Sequence, residues 1–403
     1  MTAVRATMRL GWRRTKRMLE FLVYGVLDRL VLWTAGTVTP VPGRAAVVHV
    51  ELLGDLFLWL PFGKVLADAL REQGQEVTLI CSQACASLVA QELPGCRVVA
   101  IDRQRFIREW RYRAIMLREL RRIAPSQTFA MTYPRDGIVL DAMVLALAGP
   151  ATTGWAAEFG ERPGLDRVAG RRAYTCLLPP LPHVHQQRRY AEFLRACGVA
   201  PPRSSAATPS RLPADRTAAD SYILVAPGAS RAFRKWPGER FAALARRVLQ
   251  NRSRWRCIVV GTDAEYGLAQ SVVAAIGSAA VNMAGKTNPQ TLLELVAGAR
   301  LVVGNDSAIG HMAAYCGTNS VVAVGGGHFG RCYPYDGAVS PCIAMPVTVY
   351  QPMDCFGCNW ICRYRTVKGD PYPCMQLISV DAMWAAMEPL LAVDREGDSA
   401  RTI

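Results

Sequence analysis

The sequence is poor in acid and has no long apolar run. Its 403 residues carry 47 Lys and Arg against 32 Asp and Glu, a surplus of 47 − 32 = 15 positive charges. Such a surplus favours anionic partners: phosphates, a membrane surface or nucleic acid. Nucleic acid is set aside, because the chain has no recognition helix, no RNP-like aromatic box and no zinc-finger spacing. No stretch is long and apolar enough to span a bilayer. A Walker loop, a dinucleotide fingerprint and a convincing internal repeat are also missing. With 51% hydrophobic and 20% charged residues the chain is globular and not disordered. Its length predicts two domains, each with its own core. Most of the thirteen cysteines stand singly in apolar segments, such as Cys81, Cys197, Cys257 and Cys316. That is the pattern of reduced core residues in a cytosolic protein.

What is present begins with a basic amino end. Arg5, Arg9, Arg13, Arg14, Lys16 and Arg17 precede an apolar series at Leu19, Leu22, Val23, Val26, Leu27, Leu30 and Val31. The series follows i, i+3, i+4, i+7 spacing, with Glu20, Tyr24 and Asp28 off the stripe. With Trp12 and Trp33 alongside, this reads as an interfacial membrane anchor. A helix packed on the protein's own surface is the alternative. A cleaved signal peptide fits less well, since Asp28 and Arg29 interrupt the apolar region.

Two α/β alternations follow. The first predicts strands over Ala45–Glu51, Glu76–Cys81, Arg97–Ile101 and Phe129–Tyr133. Helices are expected over Leu56–Leu70, Arg105–Ile123 and Gly137–Ala148. His183–Cys197 reads as a helix, and the Pro-, Ser-, Ala- and Arg-rich run Val199–Ala219 as a linker. The second alternation predicts strands over Tyr222–Val225, Cys257–Val260, Leu301–Val303 and Val321–Val324. Its helices are expected over Phe241–Leu249, Ala264–Ile276 and Thr291–Ala299, with another running through Met312 to Cys316. Alternation of this kind gives parallel sheets wrapped by helices. The expected division is a segment 1–44, domains 45–205 and 206–390, and a tail 391–403, with a cleft between the domains.

Ligands of such sheets gather at the carboxyl ends of the strands. Four sites of the second half lie there: Gly228-Ala229-Ser230, Gly261 to Glu265, Gly304 to His311 and Gly325 to His328. Beside the first stand Arg231, Arg234 and Lys235, cations that with backbone donors suit a pyrophosphate. Asp306 would repel phosphate and accepts hydroxyls more readily, while His311 lies about one and a half turns further on. An N-capped helix with a packed histidine explains the same residues. In the first half, Asp55 follows Gly54 at the end of the first strand and suits a base that removes a hydroxyl proton. An N-cap role for Asp55 is the alternative.

Together these segments resemble the heptosyltransferases of glycosyltransferase family 9. The residues that carry the likeness are Leu53-Gly54-Asp55 with Pro61, Pro227-Gly228-Ala229-Ser230 with Trp236-Pro237, Ala284-Gly285-Lys286-Thr287, and Gly304-Asn305-Asp306-Ser307 with His311. The resemblance runs from about Val47 to Met387. It implies an α/β GT-B fold, two Rossmann-like domains facing a central cleft, with the amino-terminal amphipathic helix as an addition. It implies inverting transfer without a cofactor or a catalytic metal, usually of heptose from ADP-heptose, to a lipopolysaccharide-core or related glycan. By position Asp55 would be the base. Ser230 and Arg234 or Lys235 would hold the diphosphate, Glu265 the ribose, and Thr287 would lie near the nucleobase. Asp306, Ser307 and His311 would hold phosphates and sugar. With the basic amphipathic amino end, the expected setting is cytoplasmic, peripheral on the cytoplasmic face of the inner membrane. A non-catalytic nucleotide- or glycan-binding scaffold is the alternative.

The chain departs from the family pattern in two of these places. Arg234 stands where the family usually has Lys, with Lys235 one residue late, and Ala308 stands where the family usually has Gly. A separate cluster, Cys355, Cys358, Cys362 and Cys374, is compatible with a four-sulfur metal site, reactive thiols or buried structural cysteines.

Overall fold

The computed structural model describes residues 23–156, 173–203, 221–364 and 366–399. The basic run Arg5–Arg17 and most of the expected linker Val199–Ala219 lie outside them. Two parallel six-stranded sheets organise what is described. The first contains β1 (Val41–His49), β2 (Glu76–Ser82), β3 (Arg97–Ile101), β4 (Pro125–Ala130), β5 (Ala151–Trp155) and β6 (Cys176–Leu178). The second contains β7 (Tyr222–Ala226), β8 (Arg256–Val259), β9 (Ala280–Asn282), β10 (Leu301–Asn305), β11 (Ser320–Ala323) and β12 (Val347–Val349). The strand orders are β3-β2-β1-β4-β5-β6 and β12-β11-β10-β7-β8-β9. Counted from its own first strand, each sheet has the doubly wound order in which the chain reverses between strands one and four. The fold is α/β and GT-B-like.

Continuous apolar runs become strands covered on both faces. Ala45 to His49 of β1 and all five residues of β10 are buried, as a parallel sheet wrapped by helices requires. The helix after β1 spans Leu53–Glu72 and begins three residues earlier than its apolar pattern suggests. The Arg-rich segment, expected as one helix, is two: Arg103–Arg108 and Trp110–Ile123. Glu109 between them is extended, with φ −110° and ψ 101°, and no glycine or proline marks the break. The core of the first sheet gathers Val48, Ile80, Phe106, Leu117 and Met143. That of the second gathers Val225, Trp236, Phe241, Val303 and Met375.

By packing, the chain separates into two units. One takes the described residues up to Leu52, Leu66–Pro182 and Ala196–Val199. The other takes Leu53–Val65, His183–Arg195 and the described residues from Ala200 onward. The first turns of helix Leu53–Glu72, with Asp55, therefore belong to the second unit. Among the described residues no helix is long and apolar enough to cross a membrane. Residues 23–34 are helical, and Val31 joins the core of the first unit.

Candidate active site

The site grows out of the reversal point of the second sheet, where β7 and β10 lie side by side. Their carboxyl ends are tied together by one side chain that the sequence motif contains but does not single out. Asn305 is fully buried. Its amide donates to the carbonyls of Pro227 and Gly228 at 2.8 and 3.2 Å, and its oxygen accepts from the backbone N–H of Trp236 at 2.7 Å. Three backbone groups of the turn after β7 are thereby satisfied in a place that excludes water. Trp236, buried on Phe241, holds the far end of the same turn.

That turn delivers two cations to two carboxylates. Arg234 ends a short 3-10 turn, Ala232–Arg234. Its Nη2 donates to the carbonyl of Asp306 at 2.7 Å and lies 3.0 Å from the Asp306 carboxylate. Nη1 reaches the hydroxyl of Ser230 at 3.4 Å, while Nε is buried without a hydrogen-bond partner. Lys235 Nζ lies 3.9 Å from Glu265. Arg234 and Lys235 therefore each face a carboxylate of the site. The carboxylate of Glu265 also accepts from the backbone N–H and hydroxyl of Thr262, at 2.9 and 3.0 Å, in a capping box. It lies so close to Gly228 that a Cβ there would stand 2.2 Å from the nearer carboxylate oxygen. Glycine at 228 is what lets Glu265 reach the turn.

The second wall is the helix Ala308–Cys316. Ser307 occupies its N-cap position in extended conformation, but its side chain makes no capping hydrogen bond. The first turn of this helix contains no acid, and its leading N–H groups have no partner within the helix. His311 is buried, its Nδ1 is 2.8 Å from the hydroxyl of Tyr335, and its ring stacks on Tyr333 at 4.3 Å between centroids. Burial holds its pKa well below the usual value, and the neighbouring His185 and Arg234 push the same way. At neutral pH His311 is an uncharged imidazole.

Asp55 sits in the first turn of helix Leu53–Glu72. The alternative N-cap role is overturned, since Leu52 holds that position and the cap has no side-chain hydrogen bond. The preceding residue, Gly54, meets the second wall directly. A Cβ on Gly54 would lie 3.4 Å from Ala308 Cα and 3.5 Å from His311 Cδ2. Ala308, the unusual residue of its motif, is therefore in contact with the segment that carries Asp55. Cys332 reports the same proximity: burial pushes its thiol up to about 12, and the charges of Asp55 and Asp306 add to the rise.

Asp55, Ser230, Arg234, Lys235, Glu265, Asp306, Ser307 and His311 thus share one unit and form linked contacts around the reversal point. Thr287 is half-buried in the turn after β9. That turn joins the others through Gly285, whose N–H donates to the carbonyl of Gly261 at 3.0 Å. Residues that sequence patterns did not single out complete the site: Asn305, Tyr333, Tyr335, His185 and Trp360. His185 Nε2 donates to the Cys332 carbonyl at 2.9 Å, while its Nδ1 accepts from the backbone N–H of Gln187, and burial lowers its pKa to about 4. Trp360 lies against the Gly325–Gly327 turn, where a Cβ on Gly327 would stand 2.2 Å from the indole. The guanidinium of Arg234 lies 5.2 Å from its ring centroid, a cation–π distance.

Trp360 belongs to the cysteine-rich segment. All four of its cysteines are free thiols, three half-buried and Cys374 buried. Burial pushes Cys374 up, and the nearby thiols Cys358, Cys355 and Cys362 add to the rise. The four therefore lie in one neighbourhood. Among the described residues, however, no three or more His, Cys, Asp or Glu side chains are set to hold a metal ion. Cys81, Cys257 and Cys316 are buried as expected, whereas Cys197 is only half-buried.

Residues 139–336 match the model of glycosyltransferase family 9 (heptosyltransferase). The chain carries a family 9 glycosyltransferase domain. The matched stretch takes in every site residue named above except Gly54, Asp55 and Trp360. Among curated protein sequences no match is found. Three similar solved structures show the breadth of the fold. A family 9 glycosyl transferase from Veillonella parvula has 19% identity and a TM-score of 0.67, covering 87% of this chain and 97% of its own. The E. coli heptosyltransferase WaaC with ADP-2-deoxy-2-fluoro heptose has 17% identity and a TM-score of 0.62, covering 86% and 99%. The iron-containing dodecameric glycosyltransferase TibC from enterotoxigenic E. coli has 17% identity and a TM-score of 0.53, covering 89% and 78%. At such identities the likeness to these structures is one of fold.

Proposed function

We propose that this glycosyltransferase moves a heptose from ADP-heptose, with inversion, onto a hydroxyl of a lipopolysaccharide-core or related glycan borne at a membrane surface. The observation that carries the reading is the approach of Gly54 to Ala308 and His311. It sets Asp55 next to the amino end of a helix that also faces Arg234. A base and an anion-stabilising wall are the two things glycosyl transfer to a hydroxyl needs.

In this reading the carboxylate of Asp55 takes the proton of the acceptor hydroxyl as its oxygen attacks the anomeric carbon. The bond from that carbon to the phosphate oxygen breaks, and its electron pair leaves with the nucleoside diphosphate. Attack from the face opposite the leaving group inverts the anomeric centre. The charge that grows on the diphosphate meets Arg234, Lys235 and the leading N–H groups of helix Ala308–Cys316. Arg234 is suited to this because Asp306 fixes its Nη2 and leaves the buried Nε without a protein partner. An unmatched buried donor is costly unless a ligand takes it. Asp306 then acts as the residue that orients Arg234. Ser230 and Ser307 offer hydroxyls to the phosphates, Glu265 accepts from the ribose, and Thr287 lies near the base. Neutral His311, held by Tyr335, contacts the sugar. The donor's WaaC counterpart, bound as ADP-2-deoxy-2-fluoro heptose, supports adenine as the base.

A thermal-shift comparison of ADP, UDP, GDP and CDP tests the donor, since a ligand that binds only the folded state raises the melting temperature. ADP is expected to give the largest rise. Equal rises with all four, or a larger one with UDP, would overturn the assignment.

A further inference from the structure

The helix over residues 23–34 has no part in the chemistry above, yet it is firmly fixed. Arg113 Nε and Nη2 lie 2.6 and 2.5 Å from the two carboxylate oxygens of Asp28, and both residues are buried. Arg113 also donates to the carbonyls of Phe106 and Ile138, at 3.3 and 2.8 Å. Its guanidinium lies over the rings of Tyr24 and Phe106. The Tyr24 hydroxyl donates to the carbonyl of Ile107. A charge pair this deep is costly unless its geometry and added hydrogen bonds compensate, and it sets register better than it adds stability. Here it sets which face of the helix turns outward.

The outward face is apolar. Val23, Val26, Leu30 and Trp33 are 47, 57, 52 and 80% exposed, at a spacing of i, i+3, i+7 and i+10 that forms one stripe. Scattered exposed apolar residues are ordinary, but a stripe on a helix held in fixed rotation marks a surface with a partner. Cations precede it in sequence and stand exposed on its own helix and on a neighbouring one. Arg29 is exposed on the same helix, and Arg5, Arg9, Arg13, Arg14, Lys16 and Arg17 precede it. The neighbouring helix Trp110–Ile123 exposes Trp110 and Ile115 among Arg111, Arg118 and Arg122, the last paired with the exposed Glu119.

We propose that this stripe docks the enzyme on an anionic lipid surface. Val23, Val26, Leu30 and Trp33 enter the headgroup boundary, and the surrounding arginines meet anionic headgroups. Apolar side chains, a tryptophan and flanking cations on one amphipathic helix are the combination an interface selects. A second copy of this chain would bring the same cations against themselves, whereas an anionic bilayer neutralises them. Docking deepens the reading of a membrane-borne acceptor and rests on it only for its purpose, because vesicle binding is measured without donor or acceptor.

The test is co-sedimentation of the full chain with phosphatidylglycerol-rich vesicles and with pure phosphatidylcholine vesicles. The unaltered protein is expected to sediment with the first, less so in high salt, and little with the second. Val26→Glu/Leu30→Glu, at exposed positions, is expected to keep its melting temperature and its activity on a soluble acceptor analogue while losing vesicle binding by about tenfold or more. The proposal fails if the unaltered protein stays in solution with phosphatidylglycerol vesicles, or if the double variant binds as well as its parent. It fails equally if the parent is an oligomer that the double variant dissolves, since a second copy then covers the stripe. Loss of transfer activity with vesicle binding intact would count against the glycosyl-transfer reading and leave this one standing.

Discussion

Arg234 and Asp306 meet twice: the same guanidinium nitrogen lies 2.7 Å from the backbone carbonyl of Asp306 and 3.0 Å from its carboxylate. A fork of fixed geometry can satisfy both contacts and still present further N–H groups; an ammonium has no such fork. The departure from the family's usual lysine is therefore part of how this site is built.

Replacing Arg234 by lysine keeps the charge and loses the fork. Arg234→Lys is expected to weaken donor binding by about ten- to a hundredfold, the worth of one or two charged hydrogen bonds at roughly 1.5–3 kcal/mol. The effect should appear in KM for the donor and leave the acceptor KM near its starting value. Unchanged donor KM would mean that Lys235 alone carries the diphosphate.

Gly228 is required by Glu265, not by backbone conformation. A methyl group at 228 would stand 2.2 Å from a carboxylate oxygen of Glu265, so Gly228→Ala must displace that side chain or the turn. A loss of about 1–3 kcal/mol in stability is expected from the overpacking. Gly228→Ala/Glu265→Ala should recover most of it, because the clash goes with the carboxylate. If the double variant is no more stable than Gly228→Ala, the crowding lies elsewhere.

Acid should destabilise the fold before carboxylates titrate. Burial lowers His185 from 6.5 to about 4, so below pH 6.5 the unfolded chain takes up a proton that the folded one refuses. The unfolded state then binds more protons, and stability falls as pH falls, from about 6.5 down to about 4, where the loss levels off. For His185 alone this amounts to about 2 kcal/mol at pH 5. His49, lowered to about 3 by burial, and His311 act in the same direction. Denaturant unfolding at pH 7 and pH 5 checks the slope. Equal stability at the two values would show that these imidazoles are protonated in the folded state.

Much of the fold was legible because its strands are apolar runs closed by glycine or polar turns. Arg97–Ile101 and Tyr222–Ala226 are of this kind, and the strand expected from Leu301 runs on to Asn305. The short strands were not. Ala151–Trp155 contains two threonines and a glycine, and β9 and β12 have three residues each. Their pairing is decided by the neighbouring strand, not by local propensity. The break at Glu109 has no sequence mark either. In the site, Asp306 and His311 stood out because they follow a strand at regular spacing. Tyr335 and His185 did not, since their role depends on approach in space across 24 residues for the Tyr335–His311 contact. Asn305 shows the limit best: its type is ordinary, and only the folded turn reveals three hydrogen bonds on one buried amide.

Asp55, beside the amino end of helix Ala308–Cys316, is the residue assigned to remove the acceptor proton. Single-turnover transfer from ADP-heptose by Asp55→Asn measures it most directly, with donor affinity recorded on the same protein. Loss of a general base costs about 10²- to 10⁴-fold in the chemical step, and ADP binding should stay within a few-fold of the parent because Asp55 makes no claim on the donor. A variant that binds ADP and transfers sugar at the parent's rate would exclude Asp55 as the base.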